Sequence, residues 1–187
     1  MSETAKIGVY CGSKSGVDGA DSTYVRDAEA LGHEIARRGL GLVYGGGNVG
    51  LMGVIAEAVM AGGGETVGVI PRALEEKELA HRGVSELIVV DNMHERKAIM
   101  AQRSIAFVAL PGGYGTLEEL FEVTAWAQLG FHQKPIGLLN TDGYFDHLLA
   151  FLDHAMHEGF LRERHRALLS VESDPLTLID STVANLA

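Results

Sequence analysis

The chain has 187 residues, 47% of them hydrophobic, and a net charge of −10 from 15 basic and 25 acidic residues. That length suits one domain with a full core, and the composition excludes intrinsic disorder. The negative charge argues against a nucleic-acid polyanion or an anionic membrane as the main partner, but a local cluster can still bind a small phosphate ligand. Cys11 is the single cysteine, so an internal disulfide and a CxxC-type zinc site are both ruled out. The N-terminus lacks the basic-then-apolar pattern of a signal peptide, and no apolar run reaches the roughly 20 residues that span a bilayer. The expectation is a cytoplasmic protein with one domain over residues 1–187.

In chain order, a strand at Lys6–Cys11 leads through the small-residue loop Cys11–Gly16 to a helix near Asp21–Arg38. A strand at Gly41–Tyr44 is followed by Gly45–Gly50 and a helix near Leu51–Ala61. Strands at Thr66–Ile70 and Leu87–Val90 precede a helix near Met93–Ser104. A strand at Ile105–Leu110 then runs into the turn Pro111–Gly115 and a helix over Thr116–Leu129. A strand at Ile136–Leu139, a helix near Tyr144–Glu158 and a short helix near Pro175–Leu186 complete the pattern. Asp174 is placed to cap that last helix, with Pro175 in its first turn.

These strands are short, continuous and rich in Val, Ile and Leu, as strands buried on both faces are. Their alternation with helices predicts an α/β, Rossmann-like, doubly wound parallel sheet with helices on both faces. The carboxyl ends of parallel strands share one edge, so the three glycine-rich loops there form one composite site. Ser13 and Gly46 are the binding candidates in the first two loops.

Gly45-Gly46-Gly47-Asn48-Val49-Gly50 fits the dinucleotide fingerprint G-x-G-x-x-G, but its acidic partner is missing. The position where that acid belongs holds Pro71-Arg72, and Glu65 precedes its strand. A phosphate-binding or close-packing loop is the better reading. Met93-His94-Glu95-Arg96-Lys97 opens a helix with basic residues, which oppose the helix dipole and so need another reason to be there. They are either a solvated turn or an anion clamp, for which the planar fork of Arg is suited.

Pro111-Gly112-Gly113-Tyr114-Gly115-Thr116-Leu117-Glu118-Glu119 combines a glycine turn with a helix start, a ready site for a phosphate. The two carboxylates repel a phosphate unless another part of the ligand needs them. Glu119 shares the helix face of Gly115 and Thr116, about 5 Å along the axis. That offset places it at the ribose of a 5′-nucleotide whose phosphate sits at the turn. Glu118 either takes part in ribose binding or caps the helix. The eight histidines form no convincing metal set, and Phe121 and Trp126 read as core or subunit contact.

With these motifs the chain resembles the Lonely Guy (LOG) family, the cytokinin riboside 5′-monophosphate phosphoribohydrolases. The matching segments are Gly45 to Gly53, Arg96-Lys97 within Met-x-x-Arg-Lys, Pro111 to Glu119, Thr124 to Gly130 and Lys134 to Asn140. The likeness extends from about Lys6 to Phe160. It implies hydrolysis of the N-glycosidic bond of an adenine-type nucleoside 5′-monophosphate, releasing free base and ribose 5-phosphate. It assigns Arg96 and Glu119 as the catalytic pair. It assigns Glu78, Lys97, the loop from Gly112 through Gly113, Tyr114, Gly115, Thr116 and Leu117 to Glu118, and Thr124 to the ligand site. It also implies a homodimer with sites near the subunit contact. Members of the family have been labelled lysine decarboxylases, a chemistry for which no lysine site is evident here.

The chemistry expected of this set follows from glycoside hydrolysis, in which positive charge develops on the sugar. Glu119 would stabilise that charge and activate water, while Arg96, always protonated, would orient the sugar. No metal or organic cofactor is required. Two alternatives stand beside this reading. One is a carrier of nucleotide or molybdenum cofactor, without hydrolase activity. The other is a broader purine-nucleotide nucleosidase.

Overall fold

Parallel pairing runs through the whole sheet of the computed structural model, which describes residues 4–184. The strands are β1 (Lys6–Tyr10), β2 (Gly41–Tyr44), β3 (Thr66–Pro71), β4 (Glu86–Val90), β5 (Ala106–Ala109), β6 (Ile136–Leu139) and β7 (Leu169–Glu172). Their order across the sheet is β4-β3-β2-β1-β5-β6-β7, and each neighbouring pair is parallel. The helices are α1 (Thr23–Arg37), α2 (Gly50–Ala61), α3 (Met93–Arg103), α4 (Tyr114–Gln128), α5 (Asp146–His157), α6 (Glu163–Arg166) and α7 (Pro175–Val183).

Alternate strand residues supply two cores, one on each face of the sheet. Ile7 and Val9 of β1, with Leu42 and Tyr44 of β2, face Leu31 of α1, Ile55 of α2 and Ile179 of α7. Tyr10 and Val43 turn the other way, toward Met100 of α3, Leu120 of α4 and Leu152 of α5. The doubly wound parallel architecture expected from the sequence is therefore the one observed. Asp174 caps α7 as predicted, its side chain accepting from Thr177 N at 2.8 Å, with Pro175 in the first turn. The predicted end of that helix at Leu186 lies outside the described residues.

α6 and β7 carry no signal in the sequence that predicts them. β7 is Leu-Ser-Val-Glu, an edge strand whose polar residues are half-buried, so it lacks the apolar run that marks the central strands. α4 also starts two residues earlier than predicted, at Tyr114, because Gly113 serves as its N-cap. No helix among the described residues is long and apolar enough to cross a membrane.

β1 lies between β2 and β5, so the chain reverses its direction of travel across the sheet at this strand. Such a reversal opens a crevice outside the carboxyl ends of the strands. The loops after β1, β2 and β5 meet at that crevice.

Candidate active site

A cavity of about 220 Å³ occupies this crevice. Val9, Cys11, Gly12 and Ser13 reach it from β1 and its loop, and Gly45 reaches it from β2. Met93 and Arg96 come from α3, and Gly113 to Thr116 with Glu119 come from the start of α4. Glu78 closes it from the segment after β3.

Arg96 owes its place to the way α3 begins. Asn92 accepts from Glu95 N at 2.9 Å, and the Glu95 carboxylate accepts from Asp91 N at 3.1 Å, a close relative of the capping box. One turn in, the Arg96 side chain turns inward and is only 6% exposed. Its Nε donates to Val69 O at 3.1 Å and its Nη2 to Gly45 O at 3.0 Å. The guanidinium is thus tied to β3 and to the residue after β2. This arrangement requires Gly45, since a Cβ there would fall 2.1 Å from Arg96 Nη2. It also answers why a basic residue opens this helix: Arg96 is a buried cation held by backbone carbonyls, not part of a solvated turn.

Two carboxylates face this cation. Glu78 Oε2 lies 3.8 Å from Arg96 Nη2 and is buried without a hydrogen-bond partner. The backbone carries it there: Asn48 N donates to Glu78 O at 2.9 Å, and Leu79 takes a left-handed conformation with φ of 48°. Glu119 is 8% exposed. Burial raises its pKa to about 7, with Arg96 and Lys97 pulling it down and Glu118 and Glu78 pushing it up. Burial also pushes the nearby Cys11 thiol well up, so the thiol stays neutral.

The start of α4 supplies hydrogen-bond donors. Its first closing bond runs from Leu117 N to Gly113 O, and no side chain caps it. The N–H groups ahead of Leu117 therefore project from the helix end, where they and the dipole favour an anion. A Cβ added at Gly113 or at Gly115 would meet nothing within 4 Å. Packing does not require glycine at either position; a ligand lying against the bare backbone would.

The other residues singled out from sequence are placed differently. Ser13 borders both this cavity and a neighbouring one of about 370 Å³, which is lined also by Gly112, Tyr24 and Tyr144. Tyr144 OH donates to Gly112 O at 2.7 Å. Gly46 packs on β3, where a Cβ would lie 3.1 Å from Ile70, and Gly45 is the glycine that reaches the cavity. Leu117 packs into the core beneath α4. Thr124 donates to Leu120 O at 2.7 Å and borders a separate cavity of about 110 Å³ with Phe121 and Leu152. Lys97 does not line the active-site cavity: its ammonium is bound by Glu118 and, at 3.0 Å, by Glu122.

The helix-cap reading of Glu118 is corrected by this geometry. Glu118 and Glu119 are the fifth and sixth residues of α4, beyond its first turn, and Glu118 holds Lys97 instead. Sequence reasoning also missed Met52 and Met93 in the cavity wall. Their only signal was membership of the two motifs, since an apolar residue near a helix start ordinarily reads as core.

A doubly wound sheet with a bare helix N-terminus and a buried arginine–glutamate pair in its crevice defines an α/β protein suited to a phosphorylated ligand. The family model described as "Possible lysine decarboxylase" matches residues 52–182. "Cytokinin riboside 5'-monophosphate phosphoribohydrolase LOG4" of Arabidopsis thaliana is 51% identical over 168 residues, covering 90% of this chain and 77% of the relative. "Probable cytokinin riboside 5'-monophosphate phosphoribohydrolase LOGL9" of Oryza sativa subsp. japonica is 54% identical over 179 residues, covering 96% and 78%. The chain belongs to this phosphoribohydrolase family, which also carries the decarboxylase description.

Among solved structures, the molybdenum cofactor binding protein of Rippkaea orientalis matches all of both chains with a TM-score of 0.72 and 25% identity. The molybdenum cofactor carrier protein of Chlamydomonas reinhardtii matches 98% of both chains at 0.69 and 26%. The decarboxylase description does not fit the site. Pyridoxal-dependent decarboxylation needs a lysine for the Schiff base, and no lysine lines the cavity that holds Arg96 and Glu119.

The raised pKa of Glu119 makes a stability prediction. The unfolded chain ionises this carboxyl near its ordinary value of 4.5, the folded chain only near 7. Its contribution is therefore fully present below pH 4.5 and declines as pH rises to about 7. The accumulated loss is roughly 3 kcal/mol above that window. Glu119→Gln does not titrate, so urea unfolding should show the variant gaining about that much on the parent between pH 4.5 and pH 8. An equal difference at both pH values would mean that Glu119 ionises normally.

Proposed function

We propose that the protein hydrolyses the N-glycosidic bond of cytokinin riboside 5′-monophosphates, N6-modified adenosine 5′-monophosphates, to free base and ribose 5-phosphate. The observation that carries this reading is a buried carboxyl with a pKa near 7, Glu119, sharing one small cavity with Arg96 and the bare start of α4. The relatives named for this activity support it.

In this reading the 5′-phosphate lies at the N–H groups of Gly113 to Thr116, and Ser13 borders it. The sugar then reaches Glu119. As the C1′–N bond breaks, the anomeric carbon gains positive charge and the base gains electrons. An ionised Glu119 stabilises that charge and takes a proton from the attacking water, while the departing base takes up a proton from solvent, so that one water is consumed overall. A carboxyl near pH 7 is suited to this exchange, being ionised in a large fraction of molecules yet basic enough to accept the proton. Arg96 stays charged and fixed, so it orients oxygens and does not protonate the base. Binding at the remote phosphate lowers the barrier at C1′.

Base release from isopentenyladenosine monophosphate, AMP, GMP and CMP tests the reading, and the panel separates it from a broader purine-nucleotide nucleosidase. A cofactor carrier would release no base from any of them. Glu119→Gln should stay folded and lose turnover about 100- to 10,000-fold. Adenosine should be a poor substrate beside AMP; equal rates would remove the phosphate-loop argument.

Gly115→Ala separates binding from folding. Ala replaces a helical glycine with open space around it, so stability should rise by about 0.5 kcal/mol. The KM for a nucleotide should rise about 10-fold or more, since the methyl group occupies the place assigned to the phosphate. A KM equal to the parent's would show that no ligand approaches this backbone.

We also assign the α4–α5 side as a homodimer contact. Phe121 of α4 and Phe151 of α5 are 38% and 62% exposed, and Phe131 and Phe160, just beyond the ends of these helices, are 76% and 89% exposed. Four exposed phenylalanines on two helices and their ends are more than the occasional apolar residue of an ordinary surface. Sedimentation equilibrium should give twice the 20.0 kDa chain mass. Phe151→Asp should shift it toward the single chain.

A further inference from the structure

Arg96 and Lys97 are neighbours in α3, and Glu118 and Glu119 are neighbours in α4. Consecutive helical residues diverge by about 100°, so each helix sends one charge into the cavity and one elsewhere. Arg96 and Glu119 enter. Lys97 and Glu118 meet outside it, and Glu122, one turn further along α4, joins them at 3.0 Å. Lys97 is only 8% exposed, and the Glu122 side chain about a quarter, while Glu118 reaches the ammonium from the solvent side with 53% of its side chain exposed.

We propose that Lys97 is a positioning residue, which by gripping Glu118 and Glu122 together fixes α4 against α3 and so sets the Glu119 carboxyl opposite Arg96. The inference rests on Arg96 and Glu119 being the reacting pair, and it departs from the ligand-contact role that family resemblance implies for Lys97. Two carboxylates one helical turn apart, bound to one ammonium, restrain α4 from both sliding and rotating, which a single contact would not do. Burial works against the Lys97 charge, but the two carboxylates outweigh it and its pKa is raised, so the grip persists across the neutral range. A misplacement of about 1 Å at a reacting group can cost on the order of 100-fold in rate, so such a restraint has kinetic weight.

The same cluster belongs to the electrostatic surroundings of Glu119. The charged and titratable groups around it are Arg96 and Lys97 of α3, Glu118 and Glu122 of α4, Glu78 after β3, and Tyr10 and Cys11 of the β1 segment. Lys97 favours the ionised form of Glu119, and Glu118 disfavours it.

The experiment compares the parent with Lys97→Met, Lys97→Arg and Glu118→Gln/Glu122→Gln in base release from isopentenyladenosine monophosphate across pH. Lys97→Met should lower kcat about 10- to 100-fold with KM changed less than about 3-fold, and Lys97→Arg should recover most of it. The double variant, which keeps Lys97, should also lower kcat. The acid limb of the profile should move up in Lys97→Met and down in the double variant, opposite shifts that a loss of packing alone would not produce. A raised KM with kcat retained in Lys97→Met, beside a double variant equal to the parent, would overturn the proposal and make Lys97 a ligand contact.

If even the parent releases no base, the hydrolase reading fails on its own. The pH window separating the stability of Glu119→Gln from that of the parent then decides. It should move upward when both carry Lys97→Met, and an unchanged window overturns the proposal.

Discussion

The site depends on one buried cation resting on two carbonyls. Arg96 is held by Val69 O of β3 and by Gly45 O just beyond β2. A guanidinium buried this deeply needs its donors satisfied, and the sheet edge provides acceptors in a fixed frame. Glu78 and Glu119 then converge on a charge that does not move. Gly45 is glycine for the same reason, and the turn after β2 takes its shape around that contact. The cavity is therefore organised from its floor, where the arginine fixes the turn after β2.

Much of this was legible in the sequence, for separable reasons. The strands from β1 to β6 are short runs rich in Val, Ile and Leu, so the parallel sheet and the shared edge of its loops followed, but not the strand order. Asp174-Pro175 announced the last helix. β7 was not legible, because an edge strand with half-exposed Ser and Glu carries no apolar signature. Arg96 and Glu119 were legible as a pair through their motifs, but the orientation of Lys97 was not. Adjacent residues on a helix look alike in sequence and differ by about 100° in space. Thr124 illustrates the same limit, since its hydroxyl is satisfied by Leu120 O two and a half turns from the cavity rim.

The likeness to molybdenum cofactor proteins over whole chains indicates what the scaffold itself provides. A switch-point crevice with glycine loops and a helix start suits any phosphorylated ligand of moderate size. This chain places in that crevice a carboxyl buried beside a fixed arginine, with its proton affinity lifted to near neutrality by loss of solvent. Function in such a scaffold is set by the chemistry of the floor more than by the shape of the rim.

The empty space around Gly113 and Gly115 has a consequence for how this protein tolerates change. Most positions in a close-packed domain are judged twice, once by folding and once by activity. These two are free of the packing test, because a Cβ added there would meet nothing within 4 Å. Losses at this rim would leave abundant, well-folded protein, invisible to any selection that acts through stability or turnover of the chain. The loop can therefore drift toward new ligands without endangering the fold, a freedom that the arginine-bound glycine beneath it does not share.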